Sequence, residues 1–314
     1  MFDTVFLRLT QGEAPGVDMA HAIEDAFYNM GEPVGRLIDF NGVQYVTATL
    51  DGLKLVANKY SLKISNSLCK FYYGENYKTL GRRDTEAAIG KLSDVLSLPI
   101  DRAIVSRLDL GTNFVMKSPV EVYMEHLGEL SRARRLAEPN GLYYTKSGGR
   151  LCFYDKNAEA RHKRDQIPEL YKDRFVLRYE ARLQRRVASQ MGCKEVTAAM
   201  LYDEAFYSRI VERWRDDYRA IDKIHNVTPN YCIMGTLKDF DKLARVALVE
   251  KLGGRQEALK RLQEAQKMGN ITRRNAYAIR QAIEAAYAVD GVMTPSPIID
   301  ELSAKIDEAA RYAR

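Results

Sequence analysis

Two short aromatic segments joined by a glycine turn constrain the fold of this chain more than any other feature. Gly141-Leu-Tyr-Tyr-Thr-Lys146 and Arg150-Leu-Cys-Phe-Tyr154 are rich in strand-favouring residues, and Ser147-Gly148-Gly149 between them predicts a hairpin. In the second strand a period of two puts Cys152, Tyr154 and Lys156 on one face, and Leu151, Phe153 and Asp155 on the other. Tyr154 is thus expected at the strand exit with Lys156 beside it.

Two further segments have the same character. In Ala103-Ile-Val-Ser-Arg-Leu-Asp-Leu110 the alternation separates Arg107 and Asp109 from Leu108 and Leu110. In Phe175-Val-Leu-Arg-Tyr-Glu-Ala-Arg-Leu183 it separates Arg178, Glu180 and Arg182 from Leu177, Tyr179, Ala181 and Leu183. If the three strands share a sheet, Asp109, Tyr154 and Glu180 converge on one face with arginines around them. Carboxylates of that kind hold a divalent cation, Mg2+ or Mn2+. The cation and guanidinium groups neutralise a phosphodiester, and a phenol oxygen attacks phosphorus. A free phenol titrates near roughly 10, so such a tyrosine needs a cation, a lysine or a base beside it. The competing reading is structural: cross-strand ion pairs and a packed tyrosine.

Arg107-Leu-Asp-Leu110, Tyr143-Tyr144 before a Ser-Gly turn, Phe153-Tyr-Asp-Lys-Asn-Ala-Glu159 and Leu177-Arg-Tyr-Glu-Ala-Arg182, in that order, resemble the motif set of phage and plasmid rolling-circle replication initiators. The likeness is greatest to the gene II/gene X type of filamentous phages. Met1-Phe-Asp-Thr4 and Ser67-Leu-Cys-Lys-Phe-Tyr-Tyr-Gly-Glu-Asn76 share it, and it spans roughly residues 1 to 190. The resemblance implies an enzyme that nicks one DNA strand at an origin, keeps a 5′-phosphotyrosyl link and leaves a 3′-hydroxyl for a host polymerase. Tyr154 is then the nucleophile, Lys156 its neighbour on the phosphate, and Asp109 and Glu180 the metal ligands. Arg107, Lys146, Arg150, Arg178 and Arg182 are the expected DNA contacts. Many such initiators carry a His-hydrophobe-His pair on a central strand. This chain has His21, His126, His162 and His225 with no such pair, so the implied fold is that of HUH endonucleases without the histidines. Either Tyr143 or Tyr144 is a candidate second tyrosine in strand transfer, and Glu159 a candidate further ligand.

Charge distribution agrees with a polyanionic ligand. The net charge is +6, yet residues 131–190 hold 15 Lys/Arg against 7 Asp/Glu, so the whole basic excess surrounds the candidate site. An apolar content of 46% with 29% charged residues excludes a disordered chain. Cys69, Cys152, Cys193 and Cys232 show neither CxxC spacing nor a disulfide framework, and reduced thiols are expected. No long apolar stretch predicts a membrane span, so a cytoplasmic protein is expected. No phosphate-binding glycine loop occurs.

Along the chain, the reading gives a strand over 4–10 and a helix capped by Asp18. It gives three strands of a meander over 36–64 around Asn41-Gly42 and Asp51-Gly52, and a further strand over 67–73. Asp84 is expected to cap a helix, Ser118-Pro119 to start another, and residues 157–164 to form a short basic helix. Beyond about residue 190 the period changes to 3.6: helices are predicted over 196–221, 237–252, 255–268, 273–288 and 297–312. The Gly269-Asn270 break followed by Arg273, Arg274 and Arg280 permits a helix-turn-helix; helicase docking or self-association fit the same region. The expected fold class is α+β, with an N-terminal meander over 1–100, a catalytic antiparallel sheet over 101–190 and a helical region over 191–314. The leading function is a metal-dependent origin nickase acting on single-stranded or extruded DNA. The alternatives are a non-catalytic single-strand binder or replication repressor, and a relaxase or transposase with the same tyrosine chemistry.

Overall fold

Strands foreseen from alternation, together with one over 134–138 that the sequence reading does not predict, pair into one ten-stranded antiparallel sheet in this computed structural model, which describes residues 1–224, 235–287 and 296–313. The chain enters through β1 (Phe2–Thr10) and α1 (Met19–Met30), the latter capped by the Asp18 side chain and stopped by Gly31 at φ 72°. β2 (Gly35–Ile38), β3 (Gln44–Leu50), β4 (Leu53–Asn58) and β5 (Ser61–Ser67) follow as a meander. The segment over 53–64 is two strands rather than one. The Asn58 side chain accepts from the backbone N–H groups of Tyr60 and Ser61 and turns the chain between them.

The strand expected over 67–73 is instead helix α2 (Leu68–Tyr73). Ser67 Oγ accepts the Lys70 N–H, and this N-cap overrides the strand preference of the aromatic residues. α3 (Arg82–Leu96) starts at Gly81, so Asp84 sits in its first turn instead of capping it. After β6 (Ile104–Met116) and the short α4 (Val120–Glu125) come β7 (Arg134–Glu138), β8 (Gly141–Thr145) and β9 (Gly149–Asp155). The predicted aromatic hairpin is β8–β9. A Cβ on Gly149 would lie 2.0 Å from the carbonyl oxygen of Arg182, so glycine is required there for the hairpin to lie against its neighbour. α5 (Lys156–Lys163), β10 (Phe175–Leu183) and α6 (Val187–Gln190) complete the sheet region.

The strand order is β2-β3-β4-β5-β1-β6-β10-β9-β8-β7. β1 lies between β5 and β6, so the N-terminal meander and the β6–β10 region form one continuous sheet. The apolar face of its second half is covered by α7 (Glu204–Arg219). Phe153 and Tyr179 stack at 4.5 Å between centroids, and Tyr179 stacks on Trp214 at 4.8 Å. Each such pair adds about 1 kcal/mol to the burial of its rings. α7 begins at Glu204 under an Asp203 cap, shorter than the helix predicted from residue 196, because Thr197 instead bridges to Ile104 beside the sheet.

The helical region divides by packing. α11 (Pro297–Tyr312) returns to the main core with Ile299, Leu302, Ile306 and Ala310 buried, and Glu301 accepts the Tyr123 hydroxyl at 2.5 Å. α8 (Leu237–Lys251), α9 (Arg255–Lys267) and α10 (Arg273–Tyr287) form a small cluster of their own around Val249, Ala258 and Ile283. Cys69, Cys152 and Cys193 are free thiols, while Cys232 and His225 lie outside the described residues. Among the described residues no helix is long and apolar enough to cross a membrane.

Candidate active site

The registers of three strands assemble the site. β10 pairs with β6 so that Arg182 faces Asp109 and Arg178 faces Asn113. It pairs with β9 so that Arg178 faces Tyr154 and Glu180 faces Cys152. Asp109, Tyr154, Arg178, Glu180 and Arg182 therefore project from one face, as the period of two requires, and the aromatic stack with Trp214 occupies the other.

Glu180 is the hub. Its Oε1 accepts the Tyr154 hydroxyl at 2.8 Å and Arg178 Nε at 2.5 Å, and its Oε2 accepts Arg182 Nε at 2.7 Å. Arg178 in turn reaches Asp3 Oδ2 at 2.6 Å, Asn113 Oδ1 at 3.0 Å and the Asn76 carbonyl at 3.2 Å. Asp3, held also by Ser67 Oγ at 2.5 Å, arrives from β1 and is a site residue that alternation in β6, β9 and β10 could not disclose. Its only sequence signal was its place in the opening motif. Gly111 stands opposite Glu180 in the register, and a Cβ there would lie 2.8 Å from Glu180 Cγ and 3.1 Å from Arg178 Nη2. Absence of a side chain lets the Arg178–Glu180 pair lie down on the sheet.

These contacts set the protonation states. Burial alone would raise the Glu180 pKa, but Arg178 and Arg182 outweigh it and hold the carboxyl at about 2. Burial, then the Glu180 charge, push the Tyr154 phenol well above its ordinary value. Burial likewise raises Asp109, although Arg107 grips it with Nε at 3.0 Å and Nη2 at 2.7 Å. The group is thus a neutral phenol on an ionised, arginine-clamped carboxylate.

Two cavities meet at Tyr154. One, of about 280 Å³, is strongly polar and is lined by Asp3, Lys70, Arg107, Asp109, Tyr154, Glu159, Glu180 and Arg182. The other, of about 380 Å³, is lined by Tyr143, Arg150, Tyr154, Glu159, His162 and Arg182. Tyr154, Glu159 and Arg182 border both, so the phenol stands where the two cavities meet. The oxygen donors of Asp109 and Glu180 suit a hard divalent ion in type. In this pairing they do not fit one: Arg107 takes both Asp109 oxygens, and Tyr154, Arg178 and Arg182 take both Glu180 oxygens. Among the described residues no three His, Cys, Asp or Glu side chains gather in a way that could hold a metal.

The remaining predicted residues separate. Arg107 and Arg182 line the first cavity; Arg150 lies over the Tyr143 ring at 4.3 Å and lines the second. Arg178, expected as a DNA contact, is only 2% exposed and is taken up by the carboxylates of Asp3 and Glu180. Lys156 is not a strand residue. Asp155 ends β9 by accepting the N–H groups of Asn157 and Ala158, and Lys156 opens α5. It is buried, with its Nζ 2.6 Å from Glu159 Oε2 and 5.3 Å from the Tyr77 ring centroid. The residue it holds, Glu159, borders both cavities, as Tyr154 and Arg182 do. Lys146 sits at the turn end of the hairpin, paired with Asp217 of α7 at 2.6 Å, and lines neither cavity. Tyr144 is fully buried and donates to the carbonyls of Leu127 and Gly128, whereas Tyr143 lines the second cavity.

An antiparallel sheet that brings a tyrosine, a clamped carboxylate and arginines to the junction of two cavities, both bordered by Arg182, is the kind of site that receives a polyanion. The chain belongs to a family of phage replication-associated proteins: the model of that family's N-terminal region, the gene II type of filamentous phages, matches residues 1–214, the whole sheet together with most of α7. No curated protein matches the chain significantly.

Proposed function

We propose that this replication-associated protein is a replication initiator that nicks one DNA strand through Tyr154. The phenol oxygen attacks a phosphodiester phosphorus, the bond from phosphorus to the 3′ oxygen breaks, and the 5′ side stays linked to the tyrosine. The released 3′ oxygen takes a proton and becomes the primer terminus for a host polymerase. The single observation that carries this reading is the hydrogen bond from Tyr154 to Glu180 inside the arginine clamp, where a strongly polar cavity meets a second one. On this reading the sheet is a variant of the HUH endonuclease arrangement with carboxylates and arginines where others have histidines.

The clamp explains why the phenol is quiescent until DNA arrives. Moving a proton from a phenol, ordinarily near 10, to a carboxylate held at about 2 is uphill by on the order of 10 kcal/mol. A phosphate entering the first cavity competes for Arg182, which is a quarter exposed, while Arg178 stays buried between Asp3 and Glu180. Losing Arg182 raises the basicity of Glu180, and the guanidinium now on the phosphate offsets the charge of the transition state. Glu180 thus becomes able to accept the phenol proton at the moment the target phosphate is in position. Mg2+ or Mn2+ could reach Asp109 or Glu180 only after Arg107 or Arg182 has moved to the phosphate.

The test is incubation of the protein and its Tyr154→Phe variant with supercoiled DNA carrying its own replicon, with Mg2+, Mn2+ or chelator, followed by denaturing gels. A nick and a protein-linked 5′ end that vanish in the variant support the reading. Adduct that persists moves the chemistry to another tyrosine, Tyr143 first. No nick under any condition, with salt-sensitive binding, makes the protein a DNA binder instead.

A further inference from the structure

The α8–α10 cluster lies beyond the matched family region and makes no part of the Tyr154 site. Within it α10 is covered on one side only. Of its described side chains, Ala276 and Ile283, seven residues apart, are buried against α8 and α9, while Arg273, Arg274, Asn275, Tyr277, Ile279, Arg280 and Gln281 are exposed. The first acidic residue of the helix is Glu284, already paired with Arg255 of α9. Arg273, Arg274 and Arg280 form no ion pair among the described residues. α9, by contrast, spends Lys260 and Arg261 on its own Glu257.

The approach between the helices is tight. α9 ends at Lys267 and α10 starts at Arg273, with Gly269 at φ 78° making the turn and Thr272 Oγ1 accepting the Asn275 N–H at 3.2 Å. A groove of about 230 Å³ runs between them, bordered by Gln263, Gln266, Arg273, Tyr277 and Arg280. Arginine, asparagine and glutamine are the side chains that make paired hydrogen bonds to base edges, and a helix about 10–12 Å across fits a major groove about 12 Å wide.

We infer that α10 is a reading helix that docks in the major groove of duplex DNA, with the α9–α10 groove against the backbone. It would bring the Tyr154 site to a chosen duplex, a function distinct from strand cleavage. The inference rests on the initiator reading only for the identity of that duplex, the replicon's own DNA. A protein-only surface would not require three arginines on one open face with no ion pair among the described residues; a polyanion supplies their partners.

The experiment measures binding of the full chain, without cleavage, to a labelled duplex fragment of its own replicon and to a scrambled duplex, over a salt series. Arg273→Ala/Arg274→Ala/Arg280→Ala, all at exposed positions, is expected to weaken replicon-duplex binding roughly 10- to 100-fold and to flatten the slope of log affinity against log salt by about 1 to 3. Cleavage of a single-stranded oligonucleotide spanning the nick is expected to be unchanged. The matching triple lysine variant should keep the salt slope and lose preference for replicon over scrambled duplex. Unchanged duplex affinity and slope in the alanine variant overturns the inference, as does undiminished preference in the lysine variant. Because binding is read without cleavage, failure of the initiator reading leaves this result interpretable.

Discussion

Tyr154 donates its hydroxyl to the Glu180 oxygen that Arg178 also holds, at 2.8 and 2.5 Å respectively, so the phenol and the arginine clamp share one atom. Removing the phenol oxygen leaves that carboxylate still satisfied by two arginines. Tyr154→Phe is therefore expected to lower stability by only about 1 kcal/mol. Covalent adduct should fall by roughly 10³-fold or more. Salt-dependent DNA binding should survive. Denaturant melts beside adduct gels decide it, and a variant that cannot fold would remove the claim that the clamp is independent of the phenol.

Glu180→Ala is a different case, because it leaves Arg178 buried with Asp3 as its one charged partner. The expected loss is about 3–5 kcal/mol, the usual cost of breaking a buried ion pair from one side. Urea unfolding with an unchanged m-value and a lower midpoint is the expected result.

Asp3→Asn tests the far end of the chain of contacts. It weakens the hold on Arg178 without touching either the Tyr154–Glu180 bond or the exposed arginines. Nicking should drop by roughly 10-fold or more while the salt slope of DNA binding stays that of the wild type, as expected for a positioning residue. A variant with unimpaired nicking removes Asp3 from the machinery.

Gly111→Ala inserts a methyl 2.8 Å from Glu180 Cγ. Displacing the carboxylate should cost about 1–3 kcal/mol and reduce nicking more than binding. Gly90→Ala, in the middle of α3 with open space around it, is the control and should stabilise by about 0.5–1 kcal/mol.

Acid stability carries the sign of the clamp. Glu180 has a folded pKa lowered from 4.5 to about 2, so its contribution is fully present above the unfolded value and is lost as pH falls from about 4.5 through about 2. The whole contribution is worth roughly 3 kcal/mol at neutral pH. Asp109 has the opposite sign, since its raised pKa favours the folded protein on protonation, and it offsets part of the loss. Unfolding measured between pH 5 and pH 2, to order of magnitude, should show a shallower fall in Glu180→Gln than in the wild type.

Much of this was legible in the residues themselves. Alternation put Asp109, Tyr154, Glu180 and Arg182 on one face, and the glycine turn placed β8 beside β9. The 3.6 period located the later helices, the first of them starting late at its Asp203 cap, while a Ser67 cap made a helix of the strand predicted over 67–73. What alternation cannot carry is register and depth. Register between β6, β9 and β10 decides that Arg178 meets Tyr154 and Arg182 meets Asp109, and it depends on contacts up to 75 residues apart in sequence, Leu108 with Leu183. Burial turned Arg178 from a DNA contact into the clamp, and a side-chain cap moved Lys156 out of the strand. Only the tertiary structure brought Asp3 from β1 to Arg178 and sent Lys146 to Asp217 on the far face. A sequence determines which way each side chain of a strand points through local geometry. Which partner it meets there is decided by the free energy of packing the whole sheet, where buried charges are tolerated only as far as every one finds an opposite.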